Sequence, residues 1–267
     1  MKQVLSIQDL SCLGKCSLTV ALPVLSAMGC TCTPLPTAVL STHTAFPQPH
    51  VRSLTGDILP ICRHWQSIGA RFDAISIGYL SDPEQAAAVE SVLDTFHTLK
   101  ILDPVMGDNG TLYRGIGPDH QNAMTQLCHK ANYLLPNVTE AALLTNTPYR
   151  ETADRQYYTG LLEKLMDFGA EATVITGASL HPGMTGFMGM DASGLFSYET
   201  QQLPIRCHGT GDLFTAVFTG ALVNGENARV AATKAAAFVE KVLLATPAAT
   251  PFGPAFEAQL SHLWKDT

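Results

Sequence analysis

The 267-residue chain lacks the features that mark membrane proteins and nucleic-acid-binding proteins. No uninterrupted apolar run reaches about 18 residues, so the sequence predicts no transmembrane helix, and the first residues carry no long apolar segment of the signal-peptide kind. No run of Lys and Arg is present, and the formal net charge is −7. A charge of this sign makes nucleic acids and anionic membranes unsuitable partners.

The cysteines lack the spacing of a disulfide framework or of a zinc site. There are seven of them, an odd number, and no Cys-x-x-Cys pair occurs. Scattered cysteines of this kind are typical of buried, reduced thiols, and we therefore expect a cytoplasmic protein. Cys30 and Cys32 have a spacing that could bind a metal, but the same spacing fits the packing of one strand.

Two common nucleotide-binding motifs are also missing. Residues 14–16 read Gly-Lys-Cys, the nearest approach to a P-loop, but the upstream glycine and the hydroxyl residue are absent. No Gly-x-Gly-x-x-Gly follows the first predicted strand. The sequence therefore excludes a P-loop NTPase and disfavours a nicotinamide-dependent enzyme.

The chain does contain a regular alternation of short β-rich runs with longer helical stretches. The predicted strands are residues 4–7, 32–40, 72–79, 100–105, 132–135 and 172–176, followed by an antiparallel pair at 186–190 and 194–199. The predicted helices are residues 15–28, 52–68, 82–97, 212–223, 228–245 and 255–264. This pattern predicts an α/β fold in which helices cover both faces of a mostly parallel sheet. Without a linker or a repeat, residues 1–267 are expected to form one domain.

Polar residues occur where several of the predicted strands end. In sheets of this kind, ligands bind beyond the carboxyl ends of the strands, so these residues are the candidates for a site. They are Gln8, Asp9, Gly78, Tyr79, Asp103, Asn137 and Thr176.

The most informative motif is Gly-Thr-Gly-Asp at residues 209–212, which directly precedes an apolar helical run. A glycine-rich turn at a helix start leaves backbone N–H groups unpaired, and the helix dipole makes this end attractive to phosphate. Asp212 beside such a seat has the position of a base for phosphoryl transfer to an alcohol. The alternative is a simple turn with an aspartate near the helix start.

Two acidic clusters follow neighbouring predicted strands. Asp103 begins an Asp-Pro-Val-Met-Gly-Asp run, and Glu140 ends an Asn-Val-Thr-Glu run. Carboxylates that act partly through water suit Mg²⁺, so Asp103 and Glu140 are the candidate metal residues. The alternatives are a turn aspartate for Asp103 and a first-turn glutamate, favoured by the helix dipole, for Glu140.

The segment 107–117 contains four glycines in eleven residues and is the least regular part of the pattern. This composition suits a mobile loop over a site.

The order and spacing of Gly-Thr-Gly-Asp, Asp-Pro-Val-Met-Gly-Asp and Asn-x-x-Glu resemble those of the ribokinase-like kinases. The opening Val-Leu-Ser-Ile-Gln, the pair His43 and Thr44, and Gly-Tyr-Leu at 78–80 are similar to the pyridoxal/pyridoxamine kinase branch. The resemblance runs from residue 4 to about residue 240. It implies a three-layer α/β/α fold, phosphorylation of a B6 vitamer by ATP with Mg²⁺, and a homodimer. It leaves open whether K⁺ is needed.

The resemblance also implies a role for each matched residue. Asp212 is expected to deprotonate the 5′-hydroxymethyl group, with Gly209, Thr210 and Gly211 as the anion hole. The residues expected on the ATP and Mg²⁺ side are Asp103, Asn137, Glu140, Thr176 and Gly177. Those expected around the pyridine ring are His43, Thr44 and Tyr79. The loop 107–117 resembles a flap over ATP.

One residue departs from the pattern of the pyridoxal kinases, which usually have serine after Ile-Gln, where this chain has Asp9. A carboxylate there would favour a protonated ring nitrogen. Hydroxymethylpyrimidine kinases carry an aspartate near this point, which keeps that activity open. However, their Gly-Gly-Ala-Gly and Gln-Asn-Thr runs are absent. A catalytically silent member of the fold is the third alternative, since a fold does not imply activity.

Overall fold

A computed structural model of the protein describes residues 1–205, 207–248 and 250–264. Its strands, in chain order, are β1 (Lys2–Leu13), β2 (Cys30–Thr42), β3 (Val51–Ser53), β4 (Ala74–Ile77), β5 (Leu99–Leu102), β6 (Gly107–Asp108), β7 (Thr111–Leu112), β8 (Tyr133–Leu134), β9 (Ala172–Thr176), β10 (Met184–Asp191) and β11 (Gly194–Gln201). Its α-helices are α1 (Leu18–Ala27), α2 (Thr55–Ser67), α3 (Pro83–Thr95), α4 (Pro118–Cys128), α5 (Val138–Leu144), α6 (Arg155–Met166), α7 (Thr210–Val223) and α8 (Ala228–Ala245).

One nine-stranded sheet, in the order β11-β10-β9-β8-β5-β4-β1-β2-β3, forms the middle of the molecule. The central strands pair in parallel, from β9 through β8, β5, β4 and β1 to β2. The pairs β9–β10, β10–β11 and β2–β3 are antiparallel and lie toward the two edges. The mostly parallel sheet expected from the sequence is therefore confirmed.

Helices cover both faces of this sheet, which gives the three-layer α/β/α fold that the resemblance implied. On one face, α1, α7 and α8 bury side chains such as Val24 and Phe218 against the sheet. On the other face, α2 to α6 bury side chains such as Ile58 and Leu162. Within the described ranges, no helix is long and apolar enough to cross a membrane.

Local sequence accounts for the elements that were predicted well. In α3, Asp82 is the N-cap, its Oδ1 accepts the backbone N–H of Gln85 at 2.8 Å, and Pro83 occupies the first turn. Both residues are favoured at these places because the cap satisfies an orphan N–H and proline has none to satisfy. The strand β4 reads Ala-Ile-Ser-Ile and is buried throughout, as expected at the centre of a covered sheet.

Several predicted boundaries are wrong. The helix predicted from residue 52 begins at Thr55, because Val51–Ser53 pair with Ala38–Leu40 as the edge strand β3. The helix predicted from residue 15 begins at Leu18, after a residue with a positive φ. The terminal segment forms a 3₁₀ helix at Glu257–Leu263 rather than an α-helix. The helices α4 and α6 were not predicted, whereas α5 has Glu140 in its first turn, as the alternative interpretation of that residue held.

The segment 107–117, expected to be an irregular loop, contains a small β-hairpin. Strands β6 and β7 pair in an antiparallel ladder across Asn109 and Gly110. These two residues have φ values of 50° and 77°. Asn-Gly with positive φ at both positions is the usual two-residue hairpin turn. The mobility of this segment stays a prediction.

Candidate active site

The carboxyl ends of the parallel strands bring the predicted site residues to one edge of the sheet. The backbone N–H of Asp103, just after β5, bonds to the carbonyl of Ile77 at 2.9 Å, and Asn137 bridges to Thr176 at the end of β9. The helix α7 reaches the same edge, where the hydroxyl of Thr215 donates to Asp103 Oδ2 at 2.9 Å. The candidates therefore share one location, although they come from distant parts of the chain.

The start of α7 has the geometry of an anion seat. Gly209 is its N-cap with φ 96°, a left-handed conformation that favours glycine. A Cβ there would overlap the carbonyl oxygen of Lys15, so both the backbone angle and the lack of space exclude a side chain. The first intrahelical bond runs from the N–H of Leu213 to Gly209, which leaves the N–H groups of Thr210, Gly211 and Asp212 without a helical partner.

Asp212 lies in the first turn of α7 and is partly exposed. Desolvation raises the pKa of this carboxyl to about 6, the charge of Asp9 acts in the same direction, and the backbone N–H of Ser17 opposes them. A base whose pKa lies near the operating pH combines a useful deprotonated fraction with a useful driving force for proton transfer. The environment of Asp212 therefore suits the role predicted for it.

Asp103 and Glu140 are both buried. Desolvation, and secondly the charge of Asp212, raise the pKa of Asp103 to about 7, against the opposing bond from Thr215. Desolvation, and secondly the charge of Asp103, raise the pKa of Glu140 well above its ordinary value. A neighbouring carboxylate therefore adds to the effect of burial on the pKa of both Asp103 and Glu140.

Glu140 has a structural role that the metal hypothesis did not include. It forms a capping box with Asn137: the Asn137 side chain accepts the Glu140 N–H at 3.0 Å, and Glu140 Oε2 accepts the Asn137 N–H at 2.8 Å. Its Oε1 accepts the N–H of Met106 at 3.0 Å. Because both carboxylate oxygens hold backbone N–H groups, Glu140 shapes the start of α5 and the strand end before the hairpin.

The donor set fits a hydrated magnesium ion better than a fully protein-bound metal. The described part of the chain contains no group of three or more His, Cys, Asp or Glu side chains placed to hold a metal directly. Mg²⁺ keeps several waters and needs only one or two carboxylates. Asp103, whose pKa is raised by burial and secondly by the charge of Asp212, is the carboxylate whose ionised form such an ion would stabilise. The metal roles of Asp103 and Glu140 stay predictions.

Asn137 also ties the β6–β7 hairpin to the site. Its Nδ2 donates to the carbonyl of Gly107 at 2.8 Å, and the N–H of Gly110 donates to Thr139 at 2.9 Å. Gly110 lies against the ring of Tyr149, where a Cβ would be only 2.6 Å from a ring carbon. The candidate ATP residue Asn137 therefore also fixes the segment that the sequence identified as a flap.

The residues predicted around the pyridine ring differ in exposure. His43 is buried, and its Nε2 lies 3.2 Å from the carbonyl oxygen of Pro251, while its Nδ1 has no hydrogen-bond partner among the described residues. Thr44 is exposed. Tyr79 is partly buried, and desolvation followed by the charge of Asp9 raises its pKa. On the nucleotide side, Gly177 is exposed with φ 71°.

An aromatic cluster beside His43 was not predicted. The His43 ring lies 4.8 Å from Phe46 and 4.9 Å from His208, and Phe46 stacks on Phe252 at 5.5 Å. His208 precedes the anion seat, so the cluster borders the start of α7. Its members come from three separate loops, and no local pattern in the sequence could have shown that they meet.

Asp9 is 3% exposed, and both of its carboxylate oxygens are engaged within the protein. The hydroxyl of Ser17 donates to Oδ1 at 2.5 Å, and the hydroxyl of Ser11 donates to Oδ2 at 2.9 Å. Desolvation raises the pKa of Asp9, and these two bonds and the charge of His43 oppose it. Neither serine was singled out by the sequence.

Comparison with known proteins gives the class to which this fold and site belong. The profile of the phosphomethylpyrimidine kinase family matches residues 21–254. A Bacteroides thetaiotaomicron protein assigned to the phosphomethylpyrimidine kinases, solved in a form with pyridoxal, is 33% identical with a TM-score of 0.92, over 98% of this chain and 94% of the other. The chain belongs to the phosphomethylpyrimidine kinase family.

Within this class, the resemblance to the pyridoxal kinases is confirmed. Pyridoxal kinase from Lactobacillus plantarum is 33% identical, with a TM-score of 0.92 over 98% of this chain and 96% of that one. The pyridoxine/pyridoxal/pyridoxamine kinase of Bordetella avium is 28% identical over 262 residues, which span 91% of this chain and 85% of that protein.

Proposed function

We propose that this protein is an ATP-dependent kinase that phosphorylates the 5′-hydroxymethyl group of pyridoxal, pyridoxamine or pyridoxine. The observation that carries the proposal is the position of Asp212, a carboxyl with a pKa raised to about 6 in the first turn of α7, beside unpaired N–H groups. The names of the Lactobacillus and Bordetella relatives, and the pyridoxal in the Bacteroides structure, support a B6 vitamer as the acceptor.

The chemistry of transfer follows from the two halves of this arrangement. Asp212 accepts the proton of the vitamer hydroxyl, which makes the oxygen a better nucleophile. The N–H groups of Thr210 and Gly211, together with the positive end of the helix dipole, stabilise the charge that develops on the migrating phosphoryl group. Gly209 allows the close packing that keeps these donors in place.

The ATP side of the proposal uses the ends of β5, β8 and β9. Asp103 and Glu140 would hold Mg²⁺ through its water shell, and the ion would supply positive charge toward the phosphates. Asn137, Thr176 and Gly177 would contact the nucleotide. The bonds from Asn137 to Gly107 and from Gly110 to Thr139 support a role for the hairpin in covering ATP.

The acceptor side is formed by His43, Thr44 and Tyr79, whereas Asp9 is buried with its two carboxylate oxygens bound by Ser17 and Ser11. Burial of His43 with an unpartnered Nδ1 supports a polar contact with the ring, and the aromatic cluster beside it supports an apolar wall. Thr44 directly follows His43 in the chain, and Tyr79 follows the end of β4. The names of the relatives disfavour hydroxymethylpyrimidine as the acceptor, despite the family's description.

A panel of acceptors tests the proposal. The purified protein is incubated with ATP and Mg²⁺ and with pyridoxal, pyridoxamine, pyridoxine or hydroxymethylpyrimidine, and kcat/KM is measured for each. Preference for a B6 vitamer is expected, with Asp212→Asn as the inactive control. Preference for hydroxymethylpyrimidine would contradict the assignment of the acceptor, and no turnover of any acceptor would contradict the kinase assignment.

We also propose that residues 1–267 act as one kinase domain, in a cytoplasmic homodimer. The nine-stranded sheet, which joins β1 near the beginning of the chain to β11, supports the first part. The family resemblance supports the dimer, and light scattering of the purified protein measures it.

A further inference from the structure

Ser17 has a backbone conformation that serine rarely adopts. Its φ is 50° and its ψ is −128°. These angles match the first central position of a type II′ turn, which is dominated by glycine because a Cβ is disfavoured there. Ser17 is also the N-cap of α1, but its hydroxyl makes no capping bond. The hydroxyl instead donates to Asp9 Oδ1 at 2.5 Å.

The backbone of the same residue faces the catalytic end of α7. The N–H of Ser17 lies against the carboxylate of Asp212 and lowers its pKa. The loop before it packs on the start of α7, since the carbonyl oxygen of Lys15 fills the place of a Cβ on Gly209. The turn at Ser17 therefore lies between the buried Asp9, to which its side chain is bound, and the partly exposed Asp212, to which its N–H is directed.

We infer that Asp9 and Ser17 are positioning residues for Asp212: the Asp9 carboxylate holds Ser17 in its left-handed conformation, and the Ser17 N–H then orients the Asp212 carboxylate toward the acceptor hydroxyl. This inference rests on the proposed function, in which Asp212 is the base. It gives Asp9 a role inside the protein, whereas the sequence suggested a contact with the pyridine ring.

The physical argument is that an unfavourable conformation needs a restraint. The carbonyl of Ser17 accepts the N–H groups of Val20 and Ala21, but the bond to Asp9 is the one that its side chain makes to hold the positive φ. Without this bond, a rotation of the peptide turns the Ser17 N–H away from Asp212. Glycine needs no such restraint, because it adopts these angles readily. The hydroxyl of Ser17 matters here only through the backbone that it fixes.

Three substitutions separate this role from a contact with substrate. Ser17→Ala removes the restraint and is expected to lower kcat about tenfold, as misplacement of a catalytic group does, with the KM for pyridoxal within about twofold. Ser17→Gly also removes the hydroxyl but accepts the backbone angles, so kcat is expected to return to within about threefold of wild type. Ser11→Ala is the matched control, since it removes the other bond to Asp9 and leaves Ser17 in place.

Thermal unfolding verifies that each variant is folded before its kinetics are compared. A Ser17→Gly variant as slow as Ser17→Ala would show that the hydroxyl itself acts, and would overturn the inference. A Ser17→Ala variant with wild-type kcat would do the same. Asp9→Asn keeps an acceptor oxygen for Ser17 and is expected to leave the ratio of kcat/KM between pyridoxamine and pyridoxal unchanged. A change in this ratio would favour the ring contact and contradict the inference.

Amide hydrogen exchange tests the same link without turnover. If the Ser17 N–H is held by Asp212, its exchange is expected to accelerate about tenfold or more in Asp212→Ala and to stay unchanged in Ser11→Ala. Equal exchange in wild type and Asp212→Ala would overturn the inference even if the protein is a B6 kinase. Conversely, a wild-type protein that phosphorylates no vitamer would contradict the proposed function, and the exchange measurement would still decide whether Asp212 holds the Ser17 N–H.

Discussion

Substitution of Glu140 by glutamine probes how the strand ends are held together. The carboxylate accepts backbone N–H groups from Met106 and Asn137, at 3.0 and 2.8 Å, and is 2% exposed. Glutamine of the same length has one oxygen and one NH₂ group. It therefore turns a donor toward one of these N–H groups and leaves that group buried without a partner.

The expected loss of stability follows from two opposing effects. A buried N–H group left without an acceptor costs about 1–3 kcal/mol. Relief of the repulsion from Asp103, which contributes to the raised pKa of Glu140, offsets part of this cost. We expect a net loss of about 1–2 kcal/mol, which lowers the Tm by about 2–8 °C in a chain of this size.

Thermal unfolding and a titration with Mg²⁺ are the measurements. Glu163→Gln, an exposed position on α6, is the matched control and should change stability by less than about 0.5 kcal/mol. If Glu140 acts on the metal side, as proposed, its substitution should raise the Mg²⁺ midpoint of activity more than the KM for pyridoxal. An unchanged Tm would refute the capping argument. An unchanged Mg²⁺ midpoint with weaker pyridoxal binding would refute the placement of Glu140.

Three further predictions concern the anion seat, the base and the hairpin. Asp212→Asn should lower kcat by about 10²–10⁴-fold without unfolding the protein, and wild-type kcat should fall as the pH drops through about 6, where Asp212 becomes protonated. Near-native turnover of the variant, or a wild-type kcat that does not change below pH 6, would contradict this. Gly209→Ala should lower both Tm and kcat because the new Cβ overlaps the carbonyl oxygen of Lys15. Gly225→Ala, at a glycine with φ 95° and open space around it, is the control that measures the cost of the backbone angle alone. If the two variants lost the same Tm and the same kcat, close packing at Gly209 would be contradicted. Deletion of residues 109–113 should raise ATP hydrolysis relative to vitamer phosphorylation by admitting water, and a proportional loss of both products would count against a shielding role.

The fold could be predicted where the sequence carries long, regular patterns. The bounds of α8 and β9 match the predicted residues 228–245 and 172–176. Short elements escaped because they have too few residues for a period to show: β3 has three residues, and β6 and β7 have two each. These short strands form because they pair with another strand, and the local sequence does not show which strand that is.

The site could be predicted from residue types at strand ends and at the start of a helix. Asp103, Asn137 and Asp212 lie at one edge of the sheet as expected, because parallel strands end on the same side. Their partners could not be predicted. The bond from Ser17 to Asp9 depends on a positive φ at a serine, and the bond from the Met106 N–H to Glu140 joins two separate segments. Both arise from tertiary structure rather than from a local preference.

The measurement that tests the central claim most directly is the structure of the product formed from ATP, Mg²⁺ and pyridoxal. Mass spectrometry and ³¹P NMR of a reaction with the wild-type protein should show one phosphate ester, on the 5′-hydroxymethyl oxygen, and the Asp212→Asn protein should form it far more slowly. A phosphate on another oxygen, or no phosphorylated pyridoxal from wild-type protein that still binds ATP, would contradict the account.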